Sequence, residues 1–336
     1  MVKYIKYLIS LIVAGSLLWY LFKDEDLPAL LEQAKTANYS WIFLSIFLAM
    51  VSHFIRAYRW KLFVKPMGFE IAAFRSFLAV MIGYVSNLVL PRMGEVIKCG
   101  ALKKMEGVPV SKSLGTIITE RVIDLLFLML LLGITFLVEY GRLKDYLYNL
   151  FGDKYQSVSG NFSISYWFLI FGILLFGGLF FLYKKRGIFR DNHLYIKALS
   201  FTKNVIEGLT SIRKIENQWG FWISSLAIWV LYYIMSYVVV FSIPETSGLS
   251  PVAGLTILAM GSIGMAAPVQ GGIGTYHFMV SSVLVLYGVD QSDGKLLATL
   301  LHTSQSLGVI VVGVVSLFIS TTLQKKEEPS VATNLN

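Results

Sequence analysis

One cysteine, four histidines and 15% charged side chains in 336 residues exclude several classes of protein at the outset. Cys99 alone cannot build a disulfide framework or a thiolate-rich metal site within one chain. The histidines show no metal-binding His/Glu spacing, and neither a phosphate-cradling glycine loop with its lysine nor a nucleophile-bearing serine turn is present. The stretches between the apolar runs are too short for a nucleotide-binding domain, so this chain is not expected to hydrolyse ATP. No metal and no cofactor are expected. Strict alternation of apolar and polar residues is missing, which argues against a β-barrel. The first apolar run ends in Phe22-Lys23-Asp24-Glu25 without a small-residue cleavage site, so it reads as an uncleaved first helix rather than a signal peptide.

Hydrocarbon is what the chain does have: 56% hydrophobic residues and a mean hydropathy of +0.66. These values define an all-α polytopic membrane protein. Uninterrupted runs long enough to span lie near 5–22, 41–60, 114–138, 163–183, 219–243 and 296–320, about six crossings at ~20 residues each. Two further apolar regions, 72–95 and 253–288, carry breaks. Reading each break as a re-entrant hairpin keeps Lys3, Lys6, the Arg56 to Lys65 cluster, Lys98, Lys103, Lys104 and Lys112 on one side, as the positive-inside rule requires. Both termini then lie in the cytoplasm, and the membrane is the bacterial inner membrane. The net charge of +9 follows this topology and does not indicate nucleic acid. Residues 1–323 form one membrane domain. Phe201, Val205, Leu209 and Ile212 make 193–218 a cytoplasmic amphipathic connector, and 324–336 a disordered polar tail.

The breaks echo one another. Aligning Pro91 with Pro268 also aligns Gly94 with Gly271, and equal distances past Gly107 and Gly288 lead to Arg121 and His302, then to Asp124 and Gln305. Paired broken segments at matching places in two halves, here 41–138 and 219–320, point to an inverted-repeat transporter with its site where the breaks meet. Charge is costly at that depth, so Glu120, Arg121 and Asp124 need partners or a cavity. Helical spacing places Arg121 beside Asp124, and one arginine against two carboxylates leaves a deficit that Arg92 can fill. The cluster reads either as an ion-pair lock on the fold or as a site for an anionic headgroup, for which arginine is the natural ligand. Arg56 and Arg59 share a face at the expected cytoplasmic boundary and read as snorkelling anchors or as a headgroup entrance. In the second break Gln270, Gly271 and Gly272 are expected to leave amides free for an anion, with Tyr276 and His277 in the following turn. His302 and Gln305 complete the second half.

In their order, Arg56-Ala57-Tyr58-Arg59-Trp60, Asn87 through Pro91-Arg92-Met93-Gly94-Glu95, Glu120-Arg121-Val122-Ile123-Asp124 and Pro268-Val269-Gln270-Gly271-Gly272-Ile273-Gly274 resemble the lysylphosphatidylglycerol synthase transmembrane-region family, over roughly residues 5–320. The resemblance implies a flippase-like domain that moves aminoacylated phosphatidylglycerol or another anionic lipid between leaflets. The soluble aminoacyl-transferase domain of bifunctional relatives is not expected, because this sequence stops at Asn336. Where some relatives carry an Arg-Glu pair, this chain has Thr275-Tyr276-His277, which leaves the headgroup open. The partners expected are membrane lipids with an anionic headgroup. Two rival readings remain: a membrane glycosyltransferase or lipid-modifying enzyme with Glu95, Glu120 or Asp124 as general base, and a non-transporting subunit working with envelope-biosynthesis enzymes.

Overall fold

A computed structural model describes residues 2–89, 93–158 and 212–323. The expected span at 163–183, most of the 193–218 connector and the 324–336 tail lie outside the described residues. Those described are helical, with no strand among them. In chain order the helices are α1 (Val2–Phe22), α2 (Leu27–Thr36), α3 (Tyr39–Val64), α4 (Ala73–Val89), α5 (Gly94–Glu106), α6 (Val110–Val158), α7 (Gln218–Val238), α8 (Pro251–Ala266), α9 (Thr275–Leu284) and α10 (Gln291–Thr322). Four helical segments are long and apolar enough to cross a membrane: Tyr39–Met67, Val110–Arg142, Gln218–Ser242 and Gln291–Thr322.

Local chemistry marks the ends. Asp26, Asn38, Asn217 and Ser250 each accept a backbone N–H of the first turn of α2, α3, α7 and α8, satisfying donors that have no partner within the helix. Gly107 and Gly288 adopt φ of +77° and turn the chain from a short helix into the long one that follows. That left-handed conformation costs glycine nothing.

The helices assemble in two series with the same order: a long helix (α3, α7), a pair of short ones (α4–α5, α8–α9) and another long helix (α6, α10). α3 and α7 pack antiparallel, with Phe63 against Phe221 at 5.4 Å between ring centres and the Ser45 hydroxyl donating to the Met235 carbonyl at 2.7 Å. Each short pair folds back on itself. α4 and α5 run antiparallel, tied by Arg75 to the Met105 carbonyl at one end and by the Gly94 amide to Asn87 at the other. α8 and α9 do the same, with Thr275 donating to the Gly264 carbonyl at 2.7 Å. The first pair extends to Glu106, beyond the 72–95 expected from hydropathy. Its second arm carries Glu95, Lys98, Lys103 and Lys104, which dilute the apolar signal although one face of the helix is buried.

The two pairs leave from opposite ends of the bundle. The ends of α3, α5 and α10 and the starts of α4, α6 and α7 share one apolar cluster, which includes Trp60, Leu78, Leu102, Ile117, Phe221 and Ile319. Around this end lie Lys61, Lys65, Lys103, Lys104, Lys112, Arg213 and Lys214. The opposite end is built on Ile42, Val240, Ile257, Leu284 and Leu297. It carries Asp24, Glu25, Asp26, Glu32, Glu245, Asp290 and Asp293. The tips meet between these ends: a Cβ on Gly271 would lie 2.7 Å from Leu88. α1 leans on the second tip, where a Cβ on Gly274 would lie 2.8 Å from Leu17. Lys295 and Glu25, 2.5 Å apart and largely buried, fasten the α1–α2 junction to α10.

Close backbone approach at the first pair depends on glycine. A Cβ on Gly94 would strike the Gly83 carbonyl and the Asn87 amide, whereas one on Gly100 would meet nothing within 4 Å. Gly94→Ala is therefore expected to destabilise by about 1–3 kcal/mol, and Gly100→Ala to be neutral or slightly stabilising. Thermal unfolding in detergent, followed by tryptophan fluorescence, checks the contrast; equal midpoints for the two variants would contradict the close pairing of α4 and α5.

Candidate functional site

Glu120 and Asp124 sit one helical turn apart on α6 and face α3. α3 answers with two arginines. Arg56 donates through Nη1 to Glu120 Oε1 at 2.6 Å and to Asp124 Oδ2 at 2.7 Å, and through Nη2 to the Tyr232 hydroxyl of α7 at 3.0 Å. Arg59 donates through Nη2 to Asp124 Oδ1 at 2.7 Å and through Nη1 to Ser225 at 3.3 Å. From α5, Lys98 reaches Glu120 Oε2 at 3.0 Å and stands 4.3 Å from the centre of the Trp60 ring. Trp60 is held in turn by its Nε1–H donating to Thr116 at 2.8 Å. Four helices thus converge on two carboxylates.

These groups are removed from solvent: Arg59 is 0%, Glu120 1% and Arg56 5% exposed. Two negative charges face three positive ones, so the cluster formed by Arg56, Arg59, Lys98, Glu120 and Asp124 carries a surplus of one. Arg56 Nε, Arg59 Nε and, nearby on α3, His53 Nδ1 are buried without a hydrogen-bond partner. His53 lies against Tyr84 of α4, with ring centres 4.7 Å apart.

Arg121 turns away from this cluster. It does not lie against Asp124 as helical spacing suggested; its side chain is 51% exposed and donates to Glu95 of α5 at 3.0 Å. A residue next to Glu120 in sequence projects about 100° around the helix, and Glu95 waits on that side. The other Glu95 oxygen is buried and unpartnered. Arg56 and Arg59 are not snorkelling anchors, because two carboxylates at their own depth offer a better partner than the membrane surface. Arg92 lies outside the described residues, and Lys98 with the α3 arginines covers the deficit assigned to it. Asn87 points back to its own helix pair, accepting the Gly94 amide at 2.7 Å.

The second group of expected residues assembles around the other tip. His302 of α10 donates through Nε2 to the Gly271 carbonyl at 2.7 Å, which fixes its tautomer. Tyr276 and His277 lie against it, at 5.0 and 4.9 Å between ring centres. Of the three amides expected to be free here, that of Gly272 is taken, and those around it are paired. The Val269, Gly272, Ile273 and Gly274 amides bond to Ala267, Val269, Gln270 and His277 respectively. Left-handed conformations at Gly271, Gly272 and Gly274 serve this tight turn and its contacts with Leu88, Met265 and Leu17. Gln305 donates to Ser45 of α3 at 3.2 Å, tying the last helix to the first long one.

Sequence reading missed Lys98, Tyr232, Ser225 and His53. Lys98 was legible in one respect: it falls with Gly94, Cys99, Leu102 and Met105 on a single helical stripe, where a solvated lysine is out of place. Tyr232 and Ser225 gave no signal, since their role depends on how α7 lies against α3.

Long apolar helices, broken short ones and ionised side chains locked between them define a polytopic α-helical membrane protein with a polar centre. The chain belongs to the lysylphosphatidylglycerol synthase TM region family, whose profile matches residues 7–313. It is also similar to the UPF0104 membrane protein MJ1595 of Methanocaldococcus jannaschii, with 26% identity over 147 residues. That match covers 42% of either chain, so it spans well under half of the curated relative's length. No solved structure matches.

Removing one partner of a buried ion pair leaves the other charge uncompensated, at a cost of about 3–5 kcal/mol. Glu120→Ala is therefore expected to lower the unfolding midpoint sharply, while Arg121→Gln, which breaks one bond to Glu95 outside the buried cluster, lowers it less. A Glu120→Gln/Lys98→Met double variant recovers part of the Glu120→Gln loss. Thermal unfolding of the variants in one detergent measures all of these, and additive losses in the double variant would contradict the Lys98–Glu120 pairing.

Proposed function

We infer that this protein moves a lipid with an anionic headgroup, phospholipid or polyprenyl-phosphate-linked, between the leaflets of a bacterial cytoplasmic membrane. The observation that carries the reading is the buried excess of cations over carboxylates among Arg56, Arg59, Lys98, Glu120 and Asp124. Unpaired charge is expensive inside a membrane domain, and a visiting phosphate relieves it. Arg121 is the group best placed to meet that phosphate first, since it is half exposed and shares only one Glu95 oxygen.

The rest of the architecture supports the same reading. At 17, 13, 16 and 10 residues, the helices of the two short pairs reach only about 15–26 Å, less than the ~30 Å hydrocarbon core. Each pair returns to the end from which it came, so both fit re-entrant hairpins entering from opposite faces, and the two series fit inverted halves. The basic end then faces the cytoplasm, and the chain termini with it. The family's name favours a lipid substrate. The enzyme reading is weaker at Glu120 and Asp124, whose oxygens are already committed to Arg56, Arg59 and Lys98; a general base needs a free lone pair.

The test is lipid movement in proteoliposomes carrying headgroup-labelled phosphatidylglycerol, with an impermeant reductant outside. Wild-type protein is expected to hasten loss of the inner-leaflet signal, and Arg121→Ala to abolish this without a large change in unfolding midpoint. A full rate in Arg121→Ala overturns the site. Absence of any wild-type acceleration rules out phosphatidylglycerol and turns the assay to a labelled polyprenyl phosphate.

A further inference from the structure

Around α5 from Lys98, a groove of about 610 Å³ opens between α5 and the last two turns of α10. Both helices rest on α4, and Ile82 and Met105 form the floor. Ile97, Gly100 and Ala101 make one wall, and Val314, Leu317 and Phe318 the other. The groove owes its width to Gly100, where no atom lies within 4 Å of an added Cβ. Lys104 stands at its mouth, exposed and without an ion-pair partner among the described residues. Ser320 and Thr321 line the same mouth, their hydroxyls donating to the Leu317 and Phe318 carbonyls.

We propose that this groove is a binding site for one anionic glycerophospholipid, with an acyl chain lying between α5 and α10 and the phosphate at Lys104. The position fixes the kind of occupant. α10 is one of the spanning segments, so a cleft beside its final turns lies at the depth of acyl chains, and Val314 to Thr321 covers about 10 Å of the ~15 Å of one leaflet. Charge selects the headgroup. The mouth opens among Lys103, Lys104 and the other cations of the basic end, where an ammonium pairs with a phosphate of net negative charge and gains less from a zwitterion. The lipid wedges the second arm of the first hairpin against α10, steadying the helix that presents Lys98 and Glu95 on its other faces. This site is separate from the translocation pathway inferred above.

Purified wild-type protein, Gly100→Trp and Lys104→Gln are each offered dioleoyl phosphatidylglycerol or dioleoyl phosphatidylcholine in detergent, and bound lipid is counted by native mass spectrometry. Wild type is expected to hold one phosphatidylglycerol about tenfold more tightly than phosphatidylcholine, the worth of one charge-assisted hydrogen bond. Filling the groove with Gly100→Trp removes binding of both lipids, and Lys104→Gln equalises them. Lys104 is a surface residue, so that variant remains readable even if the tryptophan fails to fold. Phosphatidylglycerol binding that survives unchanged in both variants overturns the site, and equal wild-type binding of both lipids overturns the role of Lys104. Arg121→Ala is expected to bind as wild type does, so failure of the translocation reading leaves this result standing.

Discussion

Everything in the first half of the molecule is arranged around the cost of holding Glu120 and Asp124 away from water. Two carboxylates on one face of α6 can stay ionised in a membrane domain only if cations come to them, and the cations arrive from α3 and α5. Tyr232 and Ser225 of α7 each add one hydrogen bond to an arginine. Because the attraction of each buried pair is offset by desolvation, the network adds little net stability. What it supplies is registry: Arg56 and Arg59 reach the same carboxylate only when α3 and α6 lie at one height, and Lys98 reaches Glu120 only when the first short pair is fully inserted.

The second half solves the same packing problem with neutral groups. At the positions matching Arg121 and Asp124 stand His302 and Gln305, and their partners are a backbone carbonyl and a serine hydroxyl. Close contacts at Gly261, Gly264 and Gly272 take over the role that charge plays in the other half. Neutral hydrogen bonds are worth about 0.5–1.5 kcal/mol each, and breaking one leaves no stranded charge behind. The second tip is thus the more easily rearranged of the two, and α1 is the element that rests on it.

Helix positions were legible because hydropathy acts locally: the runs at 41–60, 114–138 and 296–320 lie within helices of the structure, and that at 219–243 covers α7 and overruns its end at Val238 by five residues. The breaks and their spacing were legible for the same reason, since proline and glycine interrupt a helix wherever they stand. Side-chain partners were not, because they depend on which faces meet. Arg56 and Arg59 look like boundary anchors until α6 brings two carboxylates to their depth. Arg121 and Asp124 look like a pair until the helix turns one toward α5 and the other toward α3. The glycines after Pro268 suggested free amides, but the turn itself takes those of Gly272 and Gly274, and nothing in the sequence shows which donors a tight turn keeps for itself.

For the translocation proposed above, the unequal chemistry of the two halves divides the work of passing a charged headgroup. A pathway lined on both sides by fixed ion pairs would hold a phosphate too firmly to release it, and one lined only by neutral dipoles would repel it from the bilayer centre. Gathering the charge network beside one tip and neutral groups beside the other separates these tasks. On that proposal the network of α3, α5 and α6 supplies attraction at a fixed place, backed by its surplus cation, while the contacts of the second tip contain no ion pair that a passing headgroup would have to break. Equal charge in both halves would remove that division. His302, standing at the position that Arg121 holds in the first series, is on this proposal part of that division, since its bond to the Gly271 carbonyl is neutral.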